Sequence, residues 1–161
     1  DSFFGYREQL RKELVREQHN LCAYCCCQIS DDKAHNEHIE PRHPKQGTST
    51  KSLDYSNIVA SCNNADRCGT KKGNDYEETE FISPLNPKCE ETFIYYPDGV
   101  MEGNKYTIDL LNLNSYELKE ARKAVYRTIS KLDKNTIEMI YCQDDKNLPP
   151  FYNVIRWVLK N

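Results

Sequence analysis

The sequence of 161 residues has no long hydrophobic run and few apolar residues overall. No stretch approaches the ~18 consecutive apolar residues that identify a membrane-spanning helix, so we expect neither a membrane span nor a membrane partner. Hydrophobic residues make up only 38% of the chain, which argues against one large core. A small chain with a thin core often depends on a structural metal for its stability.

Positive charge is not in excess either. The formal net charge is -3, which excludes a uniformly basic surface of the kind that holds nucleic acid by charge alone. Basic residues still cluster locally, at Lys71 and Lys72 and within residues 42–45. A protein of this charge that acts on nucleic acid is therefore expected to borrow affinity from a partner.

A secretory signal is also missing from the sequence, and this predicts a cytoplasmic, reducing location. The eight cysteines are then metal ligands or free thiols rather than disulfides. Cys22 and Cys25 form a CxxC pair, and Cys62 and Cys68 form a second pair further along the chain. Two thiolate pairs of this kind can close one tetrahedral zinc site. We predict that these four cysteines hold one structural zinc ion.

Other residues near the pairs leave alternatives open for the zinc ligands. Cys26 or Cys27 could replace Cys25, because all three are consecutive. His35 or His43 could enter the site in place of a cysteine, since zinc accepts both residue types.

Between the two pairs lies Glu37-His38, on a predicted strand over residues 35–40 that ends in a turn at Pro41. Phosphodiester hydrolysis needs an activated water and a cation for the developing charge. His38 suits proton transfer near neutral pH, and Glu37 offers an oxygen to magnesium or manganese. Asn57 is expected to orient His38 by a hydrogen bond. A Glu-His pair alone is usually a surface dipeptide, so the interpretation depends on the whole order of motifs.

That order resembles the HNH endonucleases, and more narrowly the HNH nuclease subunit of Septu and retron-associated phage-defence systems. The resemblance implies an α+β fold containing a ββα-metal module, a structural zinc, a catalytic magnesium or manganese ion, cleavage of DNA or of RNA such as tRNA, and a larger ATPase subunit as partner. His38 matches the general base and Glu37 the adjacent metal ligand. The motifs are Cys22-Ala-Tyr-Cys25, Glu37-His38-Ile39-Glu40-Pro41, Asn57-Ile58-Val59-Ala60-Ser61-Cys62 and Cys68-Gly69-Thr70-Lys71-Lys72-Gly73, with weaker likeness at Pro84-Leu85-Asn86-Pro87-Lys88-Cys89 and residues 107–114.

One position departs from the family pattern. A His or Asn usually follows the last zinc cysteine and completes the catalytic metal site, but here that residue is Gly69. Asn63 is the favoured substitute, followed by Thr70 and then Asn74. If none of them serves, the metal site is incomplete and we expect low or partner-dependent activity. The alternative function, which Gly69 would support, is an inactive zinc-knuckle module that binds nucleic acid or protein.

The chain is expected to divide at residue 83. Residues 1–83 form the nuclease module, with a helix over residues 6–19 and a short helix after Cys68. Residues 84–161 form an α/β accessory region that could dock the partner through its aromatic residues. In that region the pattern predicts strands at 93–96, 100–101 and 106–111, a helix capped by Asn114 and Glu117, and a terminal helix after Pro149-Pro150. The apolar stripe of the capped helix is Leu118, Ala121, Val125, Ile129 and Leu132.

Overall fold

The computed structural model describes residues 2–45, 47–142 and 147–161, with side chains from residue 5 onward. Within these residues the protein is mixed α+β, with seven α-helices and two two-stranded antiparallel sheets. The elements in chain order are α1 (Ser2–Glu17), β1 (Ala34–His38), a 3-10 turn (Tyr55–Asn57), β2 (Ile58–Cys62), α2 (Cys68–Lys72), α3 (Cys89–Thr92), β3 (Ile94–Tyr95), β4 (Met101–Glu102), α4 (Lys105–Leu110), α5 (Tyr116–Ile129), α6 (Lys134–Tyr141) and α7 (Tyr152–Lys160).

Helix α1 covers the first sheet and confirms the predicted N-terminal helix. It buries Leu14 and Val15, and the chain then turns through His19 and Asn20, which both have positive φ angles (55° and 62°). The side chain of Gln18 donates to the Ala60 carbonyl at 2.9 Å and accepts from the Ala60 amide at 2.7 Å. These two bonds attach the end of α1 to the middle of β2.

Strands β1 and β2 and helix α2 follow one another as strand, strand and helix. The two strands pair antiparallel, with Glu37 opposite Val59 and His38 opposite Ile58. All five residues of β2 are buried, which explains its short, continuous apolar run. The predicted strand at 35–40 and the helix after Cys68 are thus confirmed, with small shifts at their ends.

The predicted third strand at residues 106–111 is wrong, because this segment contains helix α4. Asn104 caps that helix by accepting a hydrogen bond from the Thr107 amide at 2.8 Å. Ile108 and Leu111, three residues apart, are buried on its inner side. The Thr107 hydroxyl accepts from the Ile82 amide at 2.8 Å, a contact that no local pattern in the sequence predicts.

The predicted capping box of α5 is also wrong. The helix begins after Ser115, and the Asn114 amide is used elsewhere. Its oxygen accepts from the Met101 amide at 3.0 Å, and its nitrogen donates to the Met101 carbonyl at 2.8 Å. Buried Arg122 also donates to the Asn114 oxygen at 3.0 Å. Asn114 therefore joins α5 to the second sheet instead of capping the helix.

The remaining helices are only partly as expected. The apolar stripe of α5 faces inward, although Leu132 lies beyond the helix end. Helix α7 confirms the predicted terminal helix, whereas α6, capped by Asp133, was not predicted. The residues of the accessory region that could dock a partner are Phe93, Tyr95, Tyr96, Tyr106, Leu110, Leu113, Tyr116 and Tyr126. Of these, Phe93, Tyr95 and Leu113 are buried in the core, while Tyr96 and Tyr116 are exposed.

Buried residues from both halves of the chain form one hydrophobic cluster. The Cys68 amide donates to the Leu111 carbonyl at 2.9 Å, and the Phe151 amide donates to the Cys26 carbonyl at 2.7 Å. The part of the chain that carries these cysteines therefore packs directly on the C-terminal region. The division of the chain at residue 83 stays a prediction. None of the described helices is both long enough and apolar enough to cross a bilayer.

Candidate functional site

Four thiol sulfurs meet at the junction of β2 and α2. The Sγ atoms of Cys22, Cys25, Cys62 and Cys68 all lie within 4.8 Å of one another, and all four residues are buried. Tetrahedral zinc with bonds of about 2.3 Å separates its sulfur ligands by about 3.8 Å, so this cluster fits a zinc ion. The Cys62 amide points at Cys22 Sγ, 3.4 Å away, as amides around metal-bound thiolates do. The predicted set of four cysteines is therefore confirmed as a cluster that could hold a metal.

The residues considered as alternative zinc ligands are less well placed to bind the ion. Cys26 has a positive φ angle of 56° and is outside the four-sulfur cluster. Cys27 is closer, with its Sγ 3.3 Å from that of Cys25. His35 binds other side chains, described below, and His43 is exposed.

Glu37 is the centre of a second group of polar side chains. It is buried, and its two carboxylate oxygens have different partners. Oε1 lies 3.0 Å from the Lys72 ammonium and accepts from the Tyr24 hydroxyl at 3.4 Å, while Oε2 lies 3.3 Å from His35 Nε2. Burial alone would raise the pKa of Glu37, but the His35 hydrogen bond and the Lys72 charge outweigh it and hold that pKa below its usual value. Glu37 is thus an ionised carboxylate at neutral pH.

Lys72 fixes this carboxylate from inside the protein. Only 1% of its side chain is exposed, and its ammonium also donates to the carbonyls of His38 at 3.1 Å and Gly73 at 3.3 Å. One lysine therefore holds both the Glu37 side chain and the backbone of the neighbouring histidine.

Lys72→Met is expected to lower the free energy of unfolding by about 3 kcal/mol, because it leaves the buried Glu37 carboxylate without its cation. Lys71→Met is the matched control, since Lys71 is the exposed neighbour on the same helix, and it should change stability little. Urea unfolding of the two variants measures the difference. Equal midpoints would show that the Glu37–Lys72 pair adds nothing to the fold.

His38 stands at the end of β1, next to Glu37, and is half-buried. Its Nε2 lies 3.0 Å from the Ser52 carbonyl oxygen. A carbonyl oxygen only accepts, so Nε2 carries the proton, and in the neutral ring Nδ1 keeps the lone pair. Burial lowers the pKa of His38 below its ordinary value, in spite of the opposing effect of the Ser52 carbonyl. His38 is therefore a neutral imidazole at physiological pH, with Nε2 protonated and Nδ1 unprotonated.

The Asn57 side chain was expected to bond to the ring or the backbone of His38, but its hydrogen bonds go to other residues. Its side-chain oxygen accepts from the Glu40 amide at 2.8 Å, and its nitrogen donates to the carbonyls of Glu40 at 3.0 Å and Lys51 at 3.1 Å. Lys51 directly precedes Ser52, whose carbonyl holds His38. Asn57 thus fixes the loop that presents that carbonyl.

The expected third metal ligand is not in direct contact with Glu37. Asn63 Oδ1 lies 3.0 Å from His35 Nδ1, and it reaches the carboxylate only through that ring. Thr70 and Asn74 are exposed. A Cβ atom on Gly69 would lie 2.6 Å from Cδ and Oε2 of Glu37 and 2.8 Å from His35 Nε2. The glycine is required because these two side chains occupy the space beside α2.

The sequence interpretation did not place His35 or Lys72 beside Glu37: it named His35 only as an alternative zinc ligand and Lys72 only as part of a basic cluster. His35 precedes Glu37 by two residues, and residues two apart on a strand share a face. That spacing was a usable signal for His35. A buried lysine has no comparable signature, because its partner is set by the tertiary fold.

No family model matches this chain. It is 28% identical over 95 residues to the "Retron Ec83 putative HNH endonuclease" of Escherichia coli. The matched part is 56% of this chain and 33% of that protein, so the chain spans about a third of the length of its relative. This similarity supports a nuclease of the HNH type.

Proposed function

We propose that the protein is a metal-dependent HNH endonuclease that hydrolyses phosphodiester bonds of nucleic acid. The observation that carries the proposal is the adjacent pair of an ionised Glu37 and a neutral His38. Each is held by a separate contact, Lys72 at 3.0 Å for Glu37 and the Ser52 carbonyl at 3.0 Å for His38. The similarity to a retron HNH protein supports the same reading.

In this proposal His38 Nδ1 takes the proton from the attacking water, since the Ser52 carbonyl leaves that nitrogen free as the base. The same carbonyl stabilises the imidazolium that results, as a fixed acceptor for Nε2–H. Glu37 would hold the catalytic ion through its carboxylate. When bound, magnesium or manganese supplies positive charge to the scissile phosphate.

Asn57 acts as a positioning residue through the loop rather than by touching the ring. Its bonds to Glu40 and Lys51 fix both ends of the segment that contains Ser52. The four-cysteine cluster contributes indirectly, through the fold. Cys62 ends β2 and Cys68 begins α2, so an ion bound by the four cysteines would fix the angle between the strand and the helix that carries Lys72.

We further propose that the protein is the nuclease effector of an anti-phage defence system and works with an ATPase subunit. The relative's name places that protein in a retron. The net charge of -3 is consistent with weak binding of nucleic acid by the chain alone. Exposed Tyr96 and Tyr116, 40% and 73% exposed, are candidates for partner contacts, because aromatic residues are favoured interface anchors.

Plasmid nicking by the zinc-loaded chain tests the function, with magnesium or manganese added, or with both removed by a chelator that leaves the zinc in place. We expect slow, metal-dependent nicking by the isolated chain and faster nicking by the complex with the protein encoded beside it. A labelled tRNA in the same assay distinguishes RNA from DNA as substrate. Equal rates with and without the partner would show that the nuclease works alone.

Absence of metal-dependent cleavage from both the chain and the complex would favour the alternative function, a zinc-knuckle module that only binds. The observation behind this alternative is Gly69, which leaves the helix without the usual ligand. A gel-shift assay with the same plasmid and tRNA would then identify its binding partner.

A further inference from the structure

We propose that His35 is the second protein ligand of the catalytic divalent ion, in the place that a residue on α2 usually fills. The inference rests on the proposed endonuclease function and deepens it. It assigns to β1 both protein ligands of the ion, Glu37 and His35, and explains why position 69 is a glycine, since these two side chains fill the space beside it.

The first argument is the space beside α2. A Cβ atom at position 69 would approach His35 Nε2 to 2.8 Å and Glu37 Oε2 to 2.6 Å, both far below ordinary contact distances. The ring of His35 thus reaches the same volume from the strand that a side chain at position 69 would enter from the helix. Gly69 is therefore compatible with a complete metal site.

The second argument is the distance between the two ligand atoms. His35 Nε2 and Glu37 Oε2 are 3.3 Å apart. Neighbouring ligands in an octahedral shell with bonds of about 2.1 Å are about 3.0 Å apart. One magnesium or manganese ion can therefore contact both atoms after a small adjustment, with water and phosphate oxygens filling its other positions.

The third argument is the orientation of the ring. His35 Nδ1 lies 3.0 Å from Asn63 Oδ1, an oxygen that only accepts, so Nδ1 is the donor. Nε2 faces Glu37 Oε2 at 3.3 Å, where it donates to the carboxylate when the ring is protonated. A divalent ion would displace that proton to solvent and take its place, with Nδ1–H still held by Asn63. Metal-binding histidines usually donate their other N–H to such an acceptor. Asn63, the ligand expected from the sequence, is thereby assigned to the orientation of His35.

The fourth argument is that the two carboxylate oxygens of Glu37 have different partners. Lys72, with 1% of its side chain exposed, binds Oε1 from the buried side. His35 approaches Oε2, and 31% of its side chain is exposed. The interior cation thus orients the carboxylate, while His35, the partner at Oε2, is the one that is partly exposed to solvent.

Manganese binding to the zinc-loaded protein tests this assignment without any cleavage. We expect one bound manganese by solution EPR, with nitrogen hyperfine coupling from a bound imidazole in pulsed EPR. His35→Ala should weaken binding by more than the ~10-fold typical of losing an outer partner and should remove the nitrogen coupling. His43→Ala is the matched control, because His43 is exposed and has no part in the proposed metal site. This change should alter neither the manganese affinity nor the nitrogen coupling.

His38→Ala separates the two histidines beside Glu37, since it should keep the nitrogen coupling. The inference is overturned if His35→Ala binds manganese as the wild type does, or if the coupling disappears in His38→Ala instead. Metal-dependent nicking by the wild type would then still support the endonuclease. A wild-type protein that neither binds manganese nor nicks any substrate overturns both proposals.

Discussion

Cys62→Ser is expected to release the zinc and unfold the region around the first sheet. Apparent zinc-binding free energies in small modules reach about 10–16 kcal/mol, comparable with the whole stability of a typical domain, about 5–15 kcal/mol. Cys62 ends β2, and its amide also binds Cys22 Sγ at 3.4 Å. Serine keeps this amide but removes the thiolate ligand, so the end of β2 is no longer held by the ion. Zinc analysis of the purified protein and far-UV circular dichroism measure the effect.

The nearby thiol of Cys27 determines how this experiment is designed. Its Sγ lies 3.3 Å from that of Cys25, so it could replace a missing ligand. Cys62→Ser is therefore best made in a Cys27→Ser background, and Cys27→Ser alone should keep the zinc. Cys89→Ser controls for the loss of a thiol outside the cluster. A folded, zinc-free Cys62→Ser protein would contradict a structural zinc.

Short-range patterns predicted the parts of the site that depend on spacing. The four cysteines came from their pair spacing, and the structure gathers them within 4.8 Å. The Glu37–His38 strand and the helix after Cys68 were also expected, because strand and metal-site patterns are local in the sequence. For the same reason, the four cysteines could be predicted as zinc ligands from the spacing within each pair, without knowledge of the fold.

Long-range polar contacts account for what the sequence did not predict. Asn114 resembles a helix cap, but its amide pairs with both backbone groups of Met101. Asn57 was expected to bond to the ring or the backbone of His38, but its side chain holds Glu40 and Lys51. Lys72 reads as an exposed basic residue, yet it is buried against Glu37. In each case the partner lies in another element, and local propensity carries no information about it.

His38→Ala is expected to lower the nicking rate at least ~100-fold, the usual scale for a positioned general base. Zinc content and circular dichroism should stay unchanged, because the side chain is only half-buried and its bond to the Ser52 carbonyl lies outside the zinc cluster. His43→Ala controls for the loss of an exposed histidine. Since burial lowers the pKa of His38, the wild-type rate should persist into mildly acidic pH and fall only as the ring becomes protonated.

The His38→Ala result also identifies the base among the three histidines of this region. An active His38→Ala protein would remove the nuclease mechanism proposed for His38, and His35 and His43 would be tested next. His35→Ala is expected to respond differently to added manganese. Its nicking rate is lost through weak metal binding, so added manganese should partly restore that rate. Added manganese should not restore His38→Ala, whose defect is in proton transfer. Rates measured across a manganese titration therefore distinguish a lost metal ligand from a lost base.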